Sequence, residues 1–127
     1  KIMEKIVLDT NFLLTVYELR LDIFEEIFRV IPSKYEIYVL SGTIKELEKL
    51  INSPLLSKKQ AAKIALELIK IKNINILKIS ESQLVDDTLV DLNGYIIATI
   101  DTELKRRLKQ KGTRILTIRQ KKYLVLE

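Results

Sequence analysis

Two acids stand directly behind apolar runs: Asp9 follows Ile6-Val7-Leu8, and Asp101 follows the stretch from Tyr95 to Ile100. Runs of this kind read as buried strands, and the polar residue after each marks the start of a loop or helix. Ligands of open α/β sheets bind beyond the carboxyl ends of the strands. If the two strands are neighbours, both carboxylates face one crevice. A lone Asp in such a place is more often the N-cap of the next helix, but two together weaken that reading. Further acids cluster between residues 86 and 91. Asp87 and Asp91 are spaced i, i+4, where like charges on a helix repel by about a few tenths of a kcal/mol unless a cation neutralises them or solvent screens them. A helical projection places Asp86 nearer Leu89 and Val90, whereas Asp87 points with Asp91. Glu46 and Glu48 both flank the apolar stripe of a helix that starts near Thr43. Within each of these two pairs, geometry alone does not choose.

The chain contains no Cys and no His. Disulfides, thiolate zinc sites, Ser/His and Cys/His nucleophile pairs and haem ligation are thereby excluded. Any metal must be held by oxygen, which favours Mg2+ or Mn2+, then Ca2+.

The elements that position these acids follow from periodicity. Asp22 caps a helix with Phe24, Ile27, Phe28 and Ile31 on one face, closed by Pro32. Ile37 to Leu40 is a second buried strand, and Ser41-Gly42-Thr43 leads into a helix with Ile44, Leu47 and Ile51 inward. Ser57 caps a long helix whose inner side is Ala61, Ile64, Ala65, Leu68 and Ile71. A strand from Ile74 to Ile79, a helix from Leu84 to Leu92, the strand Tyr95 to Ile100, a basic helix from Thr102 to Lys111, a strand from Arg114 to Ile118 and an edge strand from Lys122 to Leu126 complete the chain. Strands that are continuously apolar and alternate with helices predict an α/β fold, a three-layer α-β-α domain with a central parallel sheet flanked by helices. With 127 residues, no internal repeat and no linker, one domain covering 1–127 is the simplest organisation.

The formal net charge of +5 is carried by the last quarter of the chain. Residues 101–127 hold nine Lys or Arg against three acids, and residues 1–100 hold thirteen against fourteen. Such an excess suggests a polyanionic partner, although a solvated helix face would give the same composition. No apolar run is long enough to span a bilayer and the first residues lack the apolar core of a signal peptide, so a soluble, cytoplasmic protein with no membrane partner is expected.

In order, VLDTNFLL, TIKELEKL, VDDTLVDL and IIATIDTELKRRL resemble the PIN-domain family of nucleases across the whole chain. The endings DDTLV and ATIDTELKRRL are most similar to the branch of small-subunit-processome PIN endonucleases and their archaeal relatives, with toxin-type PIN ribonucleases as close cousins. The resemblance implies that Asp9, Glu46, Asp87 and Asp101 are the catalytic, metal-holding carboxylates, with Asp86 in reserve for the third. Asn11 and Thr99 match the polar positions that orient them, and Glu103 occupies a place that often carries a further acid. The implied activity is a divalent-metal-dependent endoribonuclease acting on single-stranded RNA, with Mg2+ or Mn2+ as cofactor and a structured rRNA precursor, in rRNA processing, as one implied substrate. A toxin ribonuclease with an antitoxin partner is the alternative role, and a homodimer fits either.

Phosphodiester hydrolysis needs an activated water and counter-charge for the transition state, which two hard cations about 3.5 to 4 Å apart can supply. A cluster of acids is costly without them, because each carboxylate raises the pKa of the others. Lys105, Arg106 and Lys109 on the basic helix would contact RNA phosphates, giving affinity and salt dependence without sequence reading. The five tyrosines are candidates for base stacking, though packing is the commoner use of Tyr. Two rival readings remain. An inactive PIN-like module that binds RNA or protein would be expected to lose one of the first three acids. A receiver-like phosphoacceptor domain would want several acids after the first strand, where this chain has Asp9.

Overall fold

The apolar runs become six strands and the amphipathic stretches six helices in a computed structural model that describes residues 3–80 and 82–127. In chain order these are β1 (Glu4–Leu8), α1 (Thr10–Glu18), α2 (Ile23–Val30), β2 (Tyr35–Leu40), α3 (Ser41–Leu50), α4 (Leu56–Ile71), β3 (Asn75–Leu77), α5 (Val85–Asp91), β4 (Ile96–Ala98), α6 (Thr102–Lys111), β5 (Ile115–Arg119) and β6 (Tyr123–Leu126). The sheet order is β3-β2-β1-β4-β5-β6, parallel throughout except for the antiparallel β5–β6 pair. The carboxyl ends of β1, β2, β3 and β4 therefore share one edge.

Successive strand residues face opposite sides of the sheet, and the core divides accordingly. Ile6, Leu8, Val39, Ile96 and Ala98 pack against α1, α2, α4 and Leu47 of α3. Val7, Leu40, Ile97 and Ile115 pack on the other face with Leu89 of α5 and with Leu104 and Leu108 of α6. This is the three-layer α/β arrangement that the alternation of elements predicts.

Local details decide where the site elements lie. Gly42, in the first turn of α3, has no Cβ, and one placed there would stand 2.9 Å from Val85 Cγ2 and 3.2 Å from Ile79 Cδ1. Glycine thus lets α3 lie against the start of α5. Asp22 caps α2 through the amides of Phe24 and Glu25, both at 3.1 Å, and the helix ends just before Pro32, as X-Pro sterics require. At the far edge of the sheet, Glu26 of α2 accepts from the Leu124 amide at 2.8 Å and Arg29 donates to the Leu124 carbonyl at 2.9 Å.

Three sequence expectations are corrected. The strand expected from Ile74 to Ile79 is only Asn75–Leu77, because the chain then leaves the sheet and the Ile79 amide donates to Ser41 Oγ at 2.9 Å. Helix α4 is not capped by Ser57; it starts at Leu56 with no side-chain cap, while Ser53 Oγ accepts from the Leu55 amide. Its buried stripe is Ala61, Ala62, Ala65 and Ile69, and Ile71 is 70% exposed. Ala61 and Ala65 lie inward as expected, but the stripe is rotated from the expected one, since Ala62 and Ile69 share the inner face with Ala65 at i−3 and i+4.

Candidate active site

Asp9 directly follows β1, beside β4, and is only 5% exposed. Its backbone amide extends the ladder to the Ala98 carbonyl at 2.9 Å. As the cap of α1, it accepts from the Thr10 amide on Oδ1 at 2.9 Å, and its Oδ2 accepts from the Thr99 hydroxyl at 2.9 Å. Burial pushes its pKa up to about 6; the hydrogen bonds from Thr99 and Thr10 pull it down, and the negative charges of Asp86 and Glu46 push it up again. The ionisable groups that act on this buried carboxylate are thus both acids, an arrangement that strongly disfavours its charged form.

Thr99 is fully buried, and its hydroxyl also accepts from the Asp101 amide at 3.1 Å. One side chain therefore links the two strand-end acids. Asp101 caps α6, its Oδ1 accepting from the Leu104 amide at 2.7 Å. Both acids are helix caps as well as neighbours across the sheet, so the capping bonds fix the direction of each carboxylate.

On the other side of β1, α3 brings Glu46 to the same edge. Glu46 accepts from the hydroxyl of Thr10, which also lies 3.0 Å from the hydroxyl of Thr43. Both Glu46 and Glu48 are exposed on this helix, and the bond from Thr10 is what distinguishes Glu46. Thr10 and Thr43, both buried, belong to the site although their sequence surroundings do not single them out. The available signal is a threonine in the first turn of each helix that follows a central strand.

Helix α5 carries the pair that the sequence leaves open. The Asp86 carboxyl pKa is raised, first by partial desolvation and then by the charges of Asp101 and Glu46, with Arg107 opposing. Asp87 instead lies 2.9 Å from the Arg107 guanidinium, with its side chain 56% exposed. Asp86 therefore shares its surroundings with Asp9, Glu46 and Asp101, whereas Asp87, expected as the third site acid, ties α5 to α6. The Asp87/Asp91 repulsion is relieved by Arg107 and by the exposure of Asp91.

The remaining expected residues lie around this cluster. Asn11 is exposed and borders an open cleft of about 470 Å3, lined also by Thr15, Lys58, Ile100, Asp101 and Thr102. Glu103 forms a two-point ion pair with Arg106. Lys109 lies 3.6 Å from Glu127, and Lys105 is half-buried. Two of the three cations expected to meet RNA thus pair with acids of their own chain, in exposed contacts weak enough to exchange for phosphate. Tyr38 and Tyr95 pack edge to face at 5.6 Å, which is a packing role. A larger cavity of about 1030 Å3, bordered by Tyr17, Phe24, Leu68 and Lys72, contains none of the clustered acids, so chemistry rather than cavity size locates the site.

Among the described residues, no three acids as they stand converge closely enough to hold one ion. By donor type the residues nonetheless fit a hard divalent cation: all are oxygen donors, and the carboxyls of Asp9 and Asp86 are raised first by desolvation and then by the charges of neighbouring acids, both of which a bound cation would offset.

Residues 6–121 match the family model described as PIN like domain. Ribonuclease VapC4 of Methanocaldococcus jannaschii is 36% identical over 125 residues, 95% of each chain. Among solved structures, the PIN domain endonuclease Utp24 matches with a TM-score of 0.80 at 25% identity, over 97% of this chain and 90% of that one. A domain of a functionally unknown protein from Methanocaldococcus jannaschii matches with a TM-score of 0.59 at 19% identity, over 91% of each chain, which bears on the fold alone. The extent of the family match and the identity to a relative of equal coverage agree with the strand-end acids, and the chain belongs to the PIN-like domain family.

Proposed function

We propose that this domain is a divalent-metal-dependent endoribonuclease that hydrolyses single-stranded RNA, with Asp9, Glu46, Asp86 and Asp101 as the acids that would hold Mg2+ or Mn2+. The observation that carries the reading is the buried Asp9 carboxylate, acted on by two further acids at the carboxyl edge of the sheet. The relatives named as a ribonuclease and a PIN domain endonuclease support it. A bound cation would supply a water of lowered pKa and offset charge on the phosphate. The chain's own residues do the positioning. Thr99 holds Asp9 and the start of α6 in one register, Thr10 fixes Glu46, and Arg107 holds α5 against α6 through Asp87. Lys105, Arg106 and Lys109 would lead the strand towards the acids by phosphate contacts, with Asn11 and Glu103 at the rim.

Of the two roles that the sequence resemblance implies, 36% identity to ribonuclease VapC4 against 25% to Utp24 favours the toxin-type ribonuclease with an antitoxin over rRNA processing. No helix among the described residues is long and apolar enough to cross a membrane.

The test is cleavage of a labelled single-stranded oligoribonucleotide in Mn2+, in Mg2+ and in chelator. Asp101→Asn and Asp86→Asn should abolish cleavage while leaving RNA binding equal or tighter, because each removes a repulsive charge. Asp87→Asn should retain cleavage. Metal-independent cleavage, or full activity in Asp101→Asn, would overturn the reading.

A further inference from the structure

The cleft beside Asp101 brings together groups that the carboxylate cluster does not use. Its walls come from three places: Asn11 and Thr15 on α1, Lys58 in the first turn of α4, and Ile100, Asp101 and Thr102 where β4 passes into α6. Asn11, Thr15 and Thr102 offer neutral hydrogen bonds, Asp101 is an acid of the site, and Lys58 is the cation of the lining. Lys58 meets Glu18 at 4.0 Å, with the two side chains 39% and 34% exposed. A contact at that distance between half-exposed groups is weak, and the ammonium can exchange it for another anion. By contrast, Arg107 and Arg114 make closer pairs with Asp87 and Glu4.

We propose that Lys58 holds a backbone phosphate of the substrate strand in this cleft, next to the phosphate that is cleaved, and so acts as a positioning residue for the reaction. The proposal rests on the nuclease reading above. In that arrangement the strand lies across the top of α1, with the acids beneath the reacting phosphate and Lys58 on the α4 side. The lysine works as a point charge on one phosphate and reads no base. It binds ground state and transition state alike, so its removal acts on KM rather than on kcat.

The experiment compares wild type, Lys58→Met, Lys58→Arg and, as a control for the change in net charge, Lys63→Met, exposed further along α4. Circular dichroism melts check that each variant folds. Binding of a labelled oligoribonucleotide in chelator across a salt series and cleavage kinetics in Mn2+ are both measured. Lys58→Met should lower the logarithmic salt slope by about 0.7, the value of one phosphate neutralised on a single strand. It should raise KM by about tenfold, the worth of a hydrogen bond to a charged group, with kcat nearly unchanged. Lys58→Arg should restore both, and Lys63→Met should match wild type. An unchanged slope and KM in Lys58→Met, or an equal effect in Lys63→Met, would overturn the proposal. A wild type that does not cleave, while the slope still falls in Lys58→Met, removes the nuclease reading and leaves the phosphate contact standing.

Discussion

Replacing Asp9 by Asn should make the metal-free protein more stable at alkaline pH, although it damages the centre of the site. Burial lifts the Asp9 pKa from 3.8 to about 6, so the folded state holds a proton that the unfolded chain has already released. The stability associated with the neutral form is complete below the unfolded value and is lost as pH rises through 6. Over the whole interval the loss is 2.2 units at 1.36 kcal/mol each, about 3 kcal/mol. Between pH 5 and pH 8 it is about 1.4 kcal/mol, since one unit of the interval lies above pH 5. Asn keeps the acceptor for the Thr10 amide but places an NH2 group against the Thr99 hydroxyl, which must turn to accept; that mismatch costs about 1 kcal/mol. The variant should therefore gain a net of about 2 kcal/mol at pH 8 in chelator, roughly 4 to 8 °C in Tm for a domain of this size. Urea unfolding at pH 5 and pH 8, with and without Mn2+, measures each quantity. Mn2+ should stabilise the wild type at pH 8 and the variant far less. Equal losses of stability in the two proteins between pH 5 and pH 8, or a variant less stable than wild type at pH 8, would refute a buried Asp9 that stays protonated up to about pH 6.

Gly42→Ala should cost about 1 to 3 kcal/mol by overpacking, because the new methyl meets Val85 Cγ2 at 2.9 Å. As it pushes α5 and Asp86 outwards, the Mn2+-induced rise in Tm should shrink as well, which a thermal scan reads. Neutralising Lys105, Arg106 and Lys109 together should reduce the salt slope of RNA binding by about 0.7 for each phosphate that those side chains neutralise; no change would mark that face as ordinary solvated surface.

The features legible in the sequence are those set by the chain's immediate neighbourhood. Asp9 and Asp101 can be placed because an apolar run ends at each, and Asp22 reads as a cap from the residues that follow it. What is not legible depends on contacts between elements far apart in sequence. Asp86 and Asp87 differ in surroundings because Arg107, twenty residues beyond Asp87, bonds to Asp87, while Asp86 feels the charges of Asp101 and Glu46 more strongly than that of Arg107. Thr10 looks like a routine helix-start residue until α3 brings Glu46 and Thr43 against it. The inner face of α4 is legible only in part: Ala61 and Ala65 are placed by periodicity, but Ala62 is too small to stand out beside Ile64 and Ile71, and the stripe that ends on Ile69 is set by α1 and α3 packing against it. The basic helix is legible as an element, but its pairing with Glu103 and Glu127 rests on rotamers and on the return of β6.

The clasp of Glu26 and Arg29 on Leu124 also bears on how copies of this chain can meet. An outer strand ordinarily presents unpaired amides and carbonyls that can template a further strand, the route to edge-to-edge aggregation. Here both backbone polar groups of Leu124, in the middle of the outermost strand, are taken by side chains of α2, and the opposite outer strand is only three residues long. Neither margin offers an incoming chain a long, open ladder. Self-association by sheet extension is therefore resisted, and a chain so rich in aliphatic strands can stay dispersed when it is crowded.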